Sequence, residues 1–137
     1  MERISKACVI DDDKIFQFSA KRLLEATGLV DQILQFPDGE IAWEYFILNK
    51  NNPEELPDLV FLDLNMPYLD GWGFLKRFTG TKFKKKLITI YISTSSDNKQ
   101  DREWFNAFPK LKGYLLKPIS KASFKDIIGK ELGSLDI

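Results

Sequence analysis

Five short apolar runs divide the chain, and each of them stops at polar residues, proline or glycine. Runs of this length that contain branched and aromatic side chains are typical of β-strands covered on both faces. The pattern therefore predicts five strands. They are Ala7–Ile10, Gln32–Phe36, Leu59–Leu62, Leu87–Ile92 and Tyr114–Leu116.

A segment with apolar residues at helical spacing follows each run. The first such segment ends at Gly28, the third begins near Trp72 and ends at Gly80, the fourth is closed by Pro109, and Ser120 caps the last. Strand and helix thus alternate five times, which predicts an α/β fold with a doubly wound parallel sheet, right-handed crossovers and helices on both faces.

The 137 residues fit one domain, and only one helix fits after Lys117, so residues 1–137 are expected to form a single domain without an effector domain. Twenty basic residues balance twenty acidic ones, which favours neither nucleic acid nor an anionic membrane as a partner. The single Cys8 cannot form an internal disulfide and is expected to be inert core. No signal segment or membrane span is evident, so we expect a soluble cytoplasmic protein.

The chain contains no histidine. This excludes metal sites with histidine ligands, nucleophiles activated by histidine, and a phosphohistidine carried on this chain. Carboxylate, lysine and hydroxyl chemistry remain.

Polar residues that could perform such chemistry follow four of the predicted strands. They are Asp11, Asp12, Asp63, Ser93 and Lys117. The carboxyl ends of parallel strands meet at one edge of a sheet, where ligands usually bind. Carboxylates about 4 Å apart repel by roughly 4 kcal/mol per pair at an effective dielectric constant near 20, so a cation must lie among them. Carboxylates without histidine or cysteine favour Mg²⁺, and such a pocket suits transfer of a phosphoryl group to Asp63.

Four motifs together resemble the receiver domain of two-component response regulators over nearly the full length of the chain. They are the apolar strand before Asp11-Asp12, the Asp63-x-Asn-Met-Pro-x-x-Asp-Gly stretch, Ser93 after the fourth strand, and Lys117-Pro118. The resemblance implies a flavodoxin-like sheet of order 2-1-3-4-5 with five helices. The loop over residues 52–57 is similar to that of bacterial, phytochrome-associated single-domain receivers.

The resemblance also implies roles for particular residues. Asp63 would accept a phosphoryl group from the phosphohistidine of a sensor histidine kinase or phosphotransfer protein. Mg²⁺ would be held by Asp12, Asp63 and the backbone carbonyl of Asn65, with Asp11 acting through water. Asn65 and Ser95 occupy the positions that set the lifetime of the phosphate, and since neither is a carboxylate we expect slow to moderate autohydrolysis.

Signalling would follow from a movement of Ser93, which replaces the family's usual threonine, toward the phosphoryl group. Tyr114 lies at the family's aromatic switch position and would then turn inward, which changes the face made by helix four, strand five and helix five. A downstream protein or a second copy of the chain would read this face. The candidate residues on it are Trp104, Lys112, Tyr114 and Ile119.

Other interpretations remain open. A phosphohydrolase of the haloacid dehalogenase type also uses an aspartate at a strand end, but it needs a second aspartate where this chain has Asn65. A receiver that serves only for docking and is never phosphorylated is the second alternative. Taken alone, residues 11–13 are an ordinary helix cap, and the lysines of residues 84–86 are a solvated loop.

Overall fold

The computed structural model describes residues 3–83 and 86–135. Five parallel strands form one sheet of order β2-β1-β3-β4-β5, which confirms the predicted flavodoxin-like doubly wound arrangement. The strands are β1 (Ile4–Ile10), β2 (Val30–Phe36), β3 (Leu59–Leu62), β4 (Thr89–Thr94) and β5 (Leu111–Leu116).

An α-helix follows each strand, as the sequence predicts, so that four helices connect strands and the fifth follows β5. The helices are α1 (Lys14–Ala26), α2 (Gly39–Leu48), α3 (Gly71–Thr79), α4 (Lys99–Ala107) and α5 (Lys121–Leu135). A short 3₁₀ turn, Pro53–Glu55, lies in the polar loop before β3. None of the helices in the described ranges is long and apolar enough to cross a membrane.

The predicted bounds of the fourth strand are wrong by two residues at each end. It was expected to end before Ser93, but β4 includes Ser93 and Thr94, which are fully buried and pair with Leu115 and Leu116 of β5. Pairing with the neighbouring strands therefore decides where β4 ends, although its last two side chains are polar. Of the lysines predicted to form a solvated loop, Lys84 and Lys85 lie outside the described residues.

The sheet separates two apolar cores. Alternate residues of β1 point to opposite faces, so Cys8 and Ile10 pack with α2 and α3, whereas Ala7 and Val9 pack with α1 and α5. The core beside α2 and α3 is rich in aromatic rings, and Phe46 contacts Phe74 edge to face at 5.3 Å between ring centroids. These two layers fix the sheet, and through it the position of every residue that follows a strand.

Side-chain caps define where the helices begin. The carboxylate of Asp13 accepts from the backbone N–H groups of Ile15 and Phe16 at 2.9 and 3.1 Å, so this residue caps α1. Ser120 caps α5 as predicted, since its Oγ accepts from the Ser123 N–H at 3.1 Å. Asp13 is thus the capping residue of α1, and Asp11 supports it by accepting from the Asp13 backbone N–H at 2.9 Å.

Candidate functional site

Three residues that follow strands are held by backbone hydrogen bonds that extend the sheet by one residue. The N–H of Asp11 donates to Phe36 O at 3.1 Å, that of Asp63 to Ile10 O at 2.9 Å, and that of Lys117 to Thr94 O at 2.9 Å. Each residue is thus anchored to a neighbouring strand. The peptide bond after Lys117, to Pro118, is cis.

These anchors bring the predicted side chains together at the carboxyl edge of the sheet. The Lys117 Nζ lies 2.6 Å from Asp11 Oδ2 and 3.8 Å from Asp63 Oδ1. Carboxylate oxygens of Asp11, Asp12 and Asp63 all lie within 4.8 Å of one another. Hard oxygen donors at this spacing suit a divalent cation such as Mg²⁺, so the residues present fit the predicted ion.

Burial makes this cluster electrostatically sensitive. Asp11 is fully buried and Asp63 is 5% exposed, whereas Asp12 is exposed to solvent. Loss of solvation, together with the nearby Asp11 charge, raises the pKa of Asp63 to about 7, and Lys117 opposes this rise. Burial also raises the pKa of Asp11, against the hydrogen bond from Lys117. Additional positive charge at this site would therefore favour the ionised carboxylates.

Ser93 is placed near the end of β4 with its hydroxyl unused. Its side chain is fully buried, and its Oγ has no hydrogen-bond partner among the residues that the structure describes. A buried hydroxyl without a partner costs free energy, about 1–3 kcal/mol. This group is therefore ready to bond to an atom that enters the site.

Two glycines shape the loop between β3 and α3, which carries Asn65. A Cβ on Gly71 would collide with the carbonyl oxygen of Asp63, and one on Gly39 would collide with that of Leu69. The loop can therefore fold tightly over the strand end only because both positions lack a side chain. Asn65 is exposed in this loop, and its backbone N–H bonds to the Asp63 carboxylate. Ser95, the other residue predicted to control phosphate lifetime, is also exposed.

Two residues of α1 take part in the site although the sequence analysis did not single them out. The ring of Phe16 lies under the Lys117 ammonium, with 4.4 Å between Nζ and the ring centroid. The Gln17 amide donates to three carbonyl oxygens at the ends of β1 and β2, those of Val9, Asp11 and Phe36, at 2.9–3.1 Å. Their positions in the first turn of α1, directly after the acidic run, are the signal that could have identified them.

Tyr114 is already half-buried and held on three sides. Its hydroxyl donates to Ser96 O at 2.7 Å, and the Arg102 guanidinium covers its ring at 4.1 Å from the centroid. Arg102 is held in turn by Asp97 at 2.6 Å, and Phe105 contacts the ring edge-on at 5.7 Å. The carbonyl that Tyr114 binds lies three residues after Ser93, so the two predicted switch residues are connected through the start of the β4–α4 loop.

The other predicted partner residues differ in exposure. Trp104 is 45% exposed on α4 and contacts Trp72 edge-on, and Lys112 is exposed on β5. Ile119 is only 6% exposed and packs in the core beside α1 and α5, so the expectation that it lies on the surface is wrong. The side chain after Pro118 is drawn into that core because α5 begins there.

This fold and acidic site define a signalling module. The chain belongs to the response regulator receiver domain family, whose model matches residues 7–129. Receiver domains act in two-component phosphorelay signalling, where they interact with histidine kinases or phosphotransfer proteins and bind Mg²⁺ at an acidic pocket.

Particular relatives agree with this membership. The chain is 28% identical over 120 residues to a probable methanogenesis regulatory protein, FilR2 of Methanothrix harundinacea, covering 87% of this chain and 74% of that protein. It is 30% identical over 129 residues to the 3',5'-cyclic-nucleotide phosphodiesterase regA of Dictyostelium discoideum, covering 93% of this chain but 15% of that protein.

Solved structures share the fold. A two-component response regulator from Cytophaga hutchinsonii superposes with a TM-score of 0.83 at 23% identity, covering 96% of this chain and 98% of that one. The chemotaxis protein CheY4 of Vibrio cholerae superposes with a TM-score of 0.70 at 20% identity, covering 93% of this chain and 98% of that one.

Proposed function

We propose that Asp63 accepts a phosphoryl group from a phosphohistidine on a partner protein and that the resulting acyl phosphate changes a protein-binding surface of this domain. The observation that carries the proposal is the cluster at the carboxyl edge of the sheet. A buried carboxylate with a raised pKa lies beside one ammonium group and two further carboxylates, the arrangement that a phosphoryl acceptor with a divalent cation requires.

The transfer step is a substitution at phosphorus. An oxygen of the ionised Asp63 attacks the donor's phosphorus, the O–P bond forms as the N–P bond breaks, and the imidazole nitrogen leaves with the electron pair and takes a proton from solvent. Mg²⁺, when held by Asp12, Asp63 and the Asn65 carbonyl, with Asp11 acting through water, would supply positive charge beside the phosphoryl oxygens. Lys117 supplies the remaining charge after it turns from Asp11 toward the new phosphoryl group, while Phe16 continues to support its ammonium.

The donor's approach is supported by an exposed apolar pair on α1. Ile15 is 83% exposed and Phe18 is 65% exposed, and both lie on the helix that begins beside the acidic cluster. Adjacent apolar side chains of this size at a surface mark a contact for another protein. A sensor histidine kinase or a phosphotransfer protein would bury them while it presents its phosphohistidine to Asp63.

The switch follows from the unused hydroxyl of Ser93. Once it bonds to a phosphoryl oxygen, the end of β4 shifts, and the Ser96 carbonyl that holds Tyr114 shifts with it. The surface of α4 and β5 that includes Arg102 and Trp104 then changes for a downstream protein or for a second copy of the chain. Because positions 65 and 95 hold asparagine and serine, which orient attacking water less well than a carboxylate, the acyl phosphate should decay slowly to moderately.

The direct test is incubation with acetyl phosphate and Mg²⁺ followed by intact-mass measurement. Wild type should gain the mass of one phosphoryl group, and Asp63→Asn should gain none. Asp70→Asn is the matched control, because it makes the same substitution in the same loop. Asp70 only caps α3, by accepting from the Gly73 N–H at 2.7 Å, and asparagine caps equally well. A phosphate adduct on Asp63→Asn, or none on either wild type or Asp70→Asn, would contradict the proposal.

A further inference from the structure

A large cleft lies at the end of the sheet opposite to Asp63. Its volume is about 590 Å³, within the usual range of about 300–1,000 Å³ for binding pockets. The cleft runs between the segment that follows α3 and the turn that joins α4 to β5. The phosphorylation chemistry described above uses none of the residues that line it.

The described residues that line this cleft have an excess of positive charge. Lys82, Lys110 and Lys112 are exposed, and no carboxylate within the described ranges pairs with any of them. Of the two acids in the lining, Asp58 pairs with Lys86 at 2.6 Å, whereas Glu131 accepts only from the neutral Tyr91 hydroxyl at 3.1 Å and keeps its charge. Four lysines therefore stand against two carboxylates, and the described lining has a net positive charge. Because the whole chain has a formal charge of zero, this excess is a local property of the cleft.

The floor of the cleft is apolar. The half-buried Phe78, Phe83 and Ile88 line it, and Leu87, which also lines the cleft, is 79% exposed. The apolar side chain of Leu87 is therefore largely in contact with water, and an occupant of the cleft could cover it. An occupant must therefore combine negative charge with at least one apolar group.

We propose that this cleft binds an acidic segment of a partner protein, which pairs its carboxylates with Lys82, Lys110 and Lys112 and places an apolar side chain against Leu87. A concave site does not fit a flat membrane surface. Three lysines around an apolar floor also lack the extended basic track and the exposed stacking rings that nucleic acid needs. An acidic peptide segment satisfies both the rim and the floor.

The position of the cleft connects it with the phosphorylation site. β4 begins at Thr89, which lines the cleft, and runs toward Ser93, and β5 passes Lys112 on the rim and runs toward Tyr114 and Lys117. The strands that carry the proposed switch residues thus begin at this cleft. Binding of a peptide is nevertheless predicted for the unphosphorylated chain, so its test is independent of phosphoryl transfer.

The test is fluorescence anisotropy with a fluorescein-labelled peptide that contains glutamates around one phenylalanine and one leucine, titrated with the full chain at low salt. We expect saturable binding that the double variant Lys110→Glu/Lys112→Glu weakens by about tenfold. The matched control is Lys21→Glu/Lys125→Glu, which makes the same charge change at exposed lysines of α1 and α5 and should leave the affinity within about twofold. Leu87→Ser should weaken binding by about threefold through the lost apolar contact.

Far-UV circular dichroism checks that each variant is folded. Four outcomes would overturn the proposal. The first is no saturable binding to wild type, and the second is equal weakening by both lysine pairs. The third is tighter binding of phosphatidylglycerol vesicles or of a single-stranded oligonucleotide than of the peptide. The fourth is equal binding of a peptide with glutamine in place of glutamate, since this would show that charge is not recognised. We expect this peptide to lose most of the affinity.

Discussion

Charged side chains at the two ends of the sheet differ in burial. The end beside the cleft, opposite to the carboxyl edge, is called the amino edge below. At the carboxyl edge, Asp11 and Asp63 are buried, and Lys117 lies 2.6 and 3.8 Å from their oxygens. At the amino edge, Lys110 and Lys112 are exposed and have no carboxylate partner in the described part of the chain. The same five strands position both groups, so burial rather than backbone geometry separates them.

This difference in burial determines at which end a change of charge alters the free energy of unfolding. A buried charge that loses its partner costs several kcal/mol, whereas an exposed one costs or gains less than about 1 kcal/mol. The carboxyl edge should therefore respond strongly to pH, metal and phosphoryl groups. The exposed lysines at the opposite end should change the encounter with a partner while they barely affect folding.

The largest predicted effect on stability concerns Asp63. Its pKa is about 7 in the folded chain and about 3.8 when solvated, so the folded state retains a proton between these values that the unfolded state has lost. The contribution of Asp63 to stability is therefore complete below about pH 4 and is lost as the pH rises to about 7. Asp63→Asn does not titrate, so at pH 8 without Mg²⁺ it should be more stable than wild type by as much as about 4 kcal/mol.

Urea denaturation at pH 4, 6 and 8 measures this difference. The difference in the free energy of unfolding between Asp63→Asn and wild type should be close to zero at pH 4 and should grow through pH 6 to pH 8. At pH 8 the difference should shrink when Mg²⁺ is added, because the ion stabilises the ionised carboxylates of the folded state. Asp70→Asn, in the same loop, should show no such growth. If the stability of wild type and of Asp63→Asn changed equally with pH, the buried carboxylate would have no special effect and the two ends would not differ in this respect.

Ser93→Ala should have a smaller effect on stability than Asp63→Asn, and it should also remove the response near Tyr114. Since the Ser93 hydroxyl has no partner, its removal should leave stability unchanged or raise it by about 1 kcal/mol. The same variant should lose the amide shifts that a beryllium fluoride complex causes near Tyr114 in NMR spectra of wild type. Destabilisation by more than about 1 kcal/mol would show that the hydroxyl is already bonded in the folded chain.

Arg102→Gln should lower the midpoint of thermal unfolding slightly, because it removes the cation that covers Tyr114 at 4.1 Å and that bonds to Asp97 at 2.6 Å. Arg22→Gln is the control, since the Arg22 guanidinium lies farther away, 5.6 Å from the ring of the exposed Phe18, and should matter less. Thermal denaturation of both variants compares them. An equal loss of stability would mean that the Tyr114 contact has no special strength.

Lys110→Glu should change the free energy of unfolding least, by no more than about 0.5 kcal/mol. The side chain is exposed and makes no ion pair with any described residue, so reversing its charge disturbs only the long-range field. Urea denaturation at neutral pH measures it. A loss above about 1 kcal/mol would show that the amino edge carries structural charge after all.

Alternation of strand and helix was sufficient to predict the parallel sheet and the meeting of Asp11, Asp12, Asp63 and Lys117, since it places all strand ends at one edge. The order of the strands came from the resemblance to receiver domains. The sequence could not predict contacts that depend on packing between distant side chains, such as the Phe16 ring beneath Lys117. The same reason explains Ile119, which was predicted for the partner-binding face but packs in the core beside α1 and α5. The end of β4 was predicted too early because Ser93 and Thr94 are polar, although their pairing with β5 keeps them in the strand.

Cys8 lies in the middle of β1, is fully buried, and is the only cysteine of the sequence. Burial raises the pKa of its thiol far above the ordinary range, so the thiolate that reacts with labelling reagents forms only when the sheet opens. A cysteine introduced on the surface can consequently be labelled selectively while Cys8 stays in place. The slow labelling of Cys8 itself then measures how often the central strands separate.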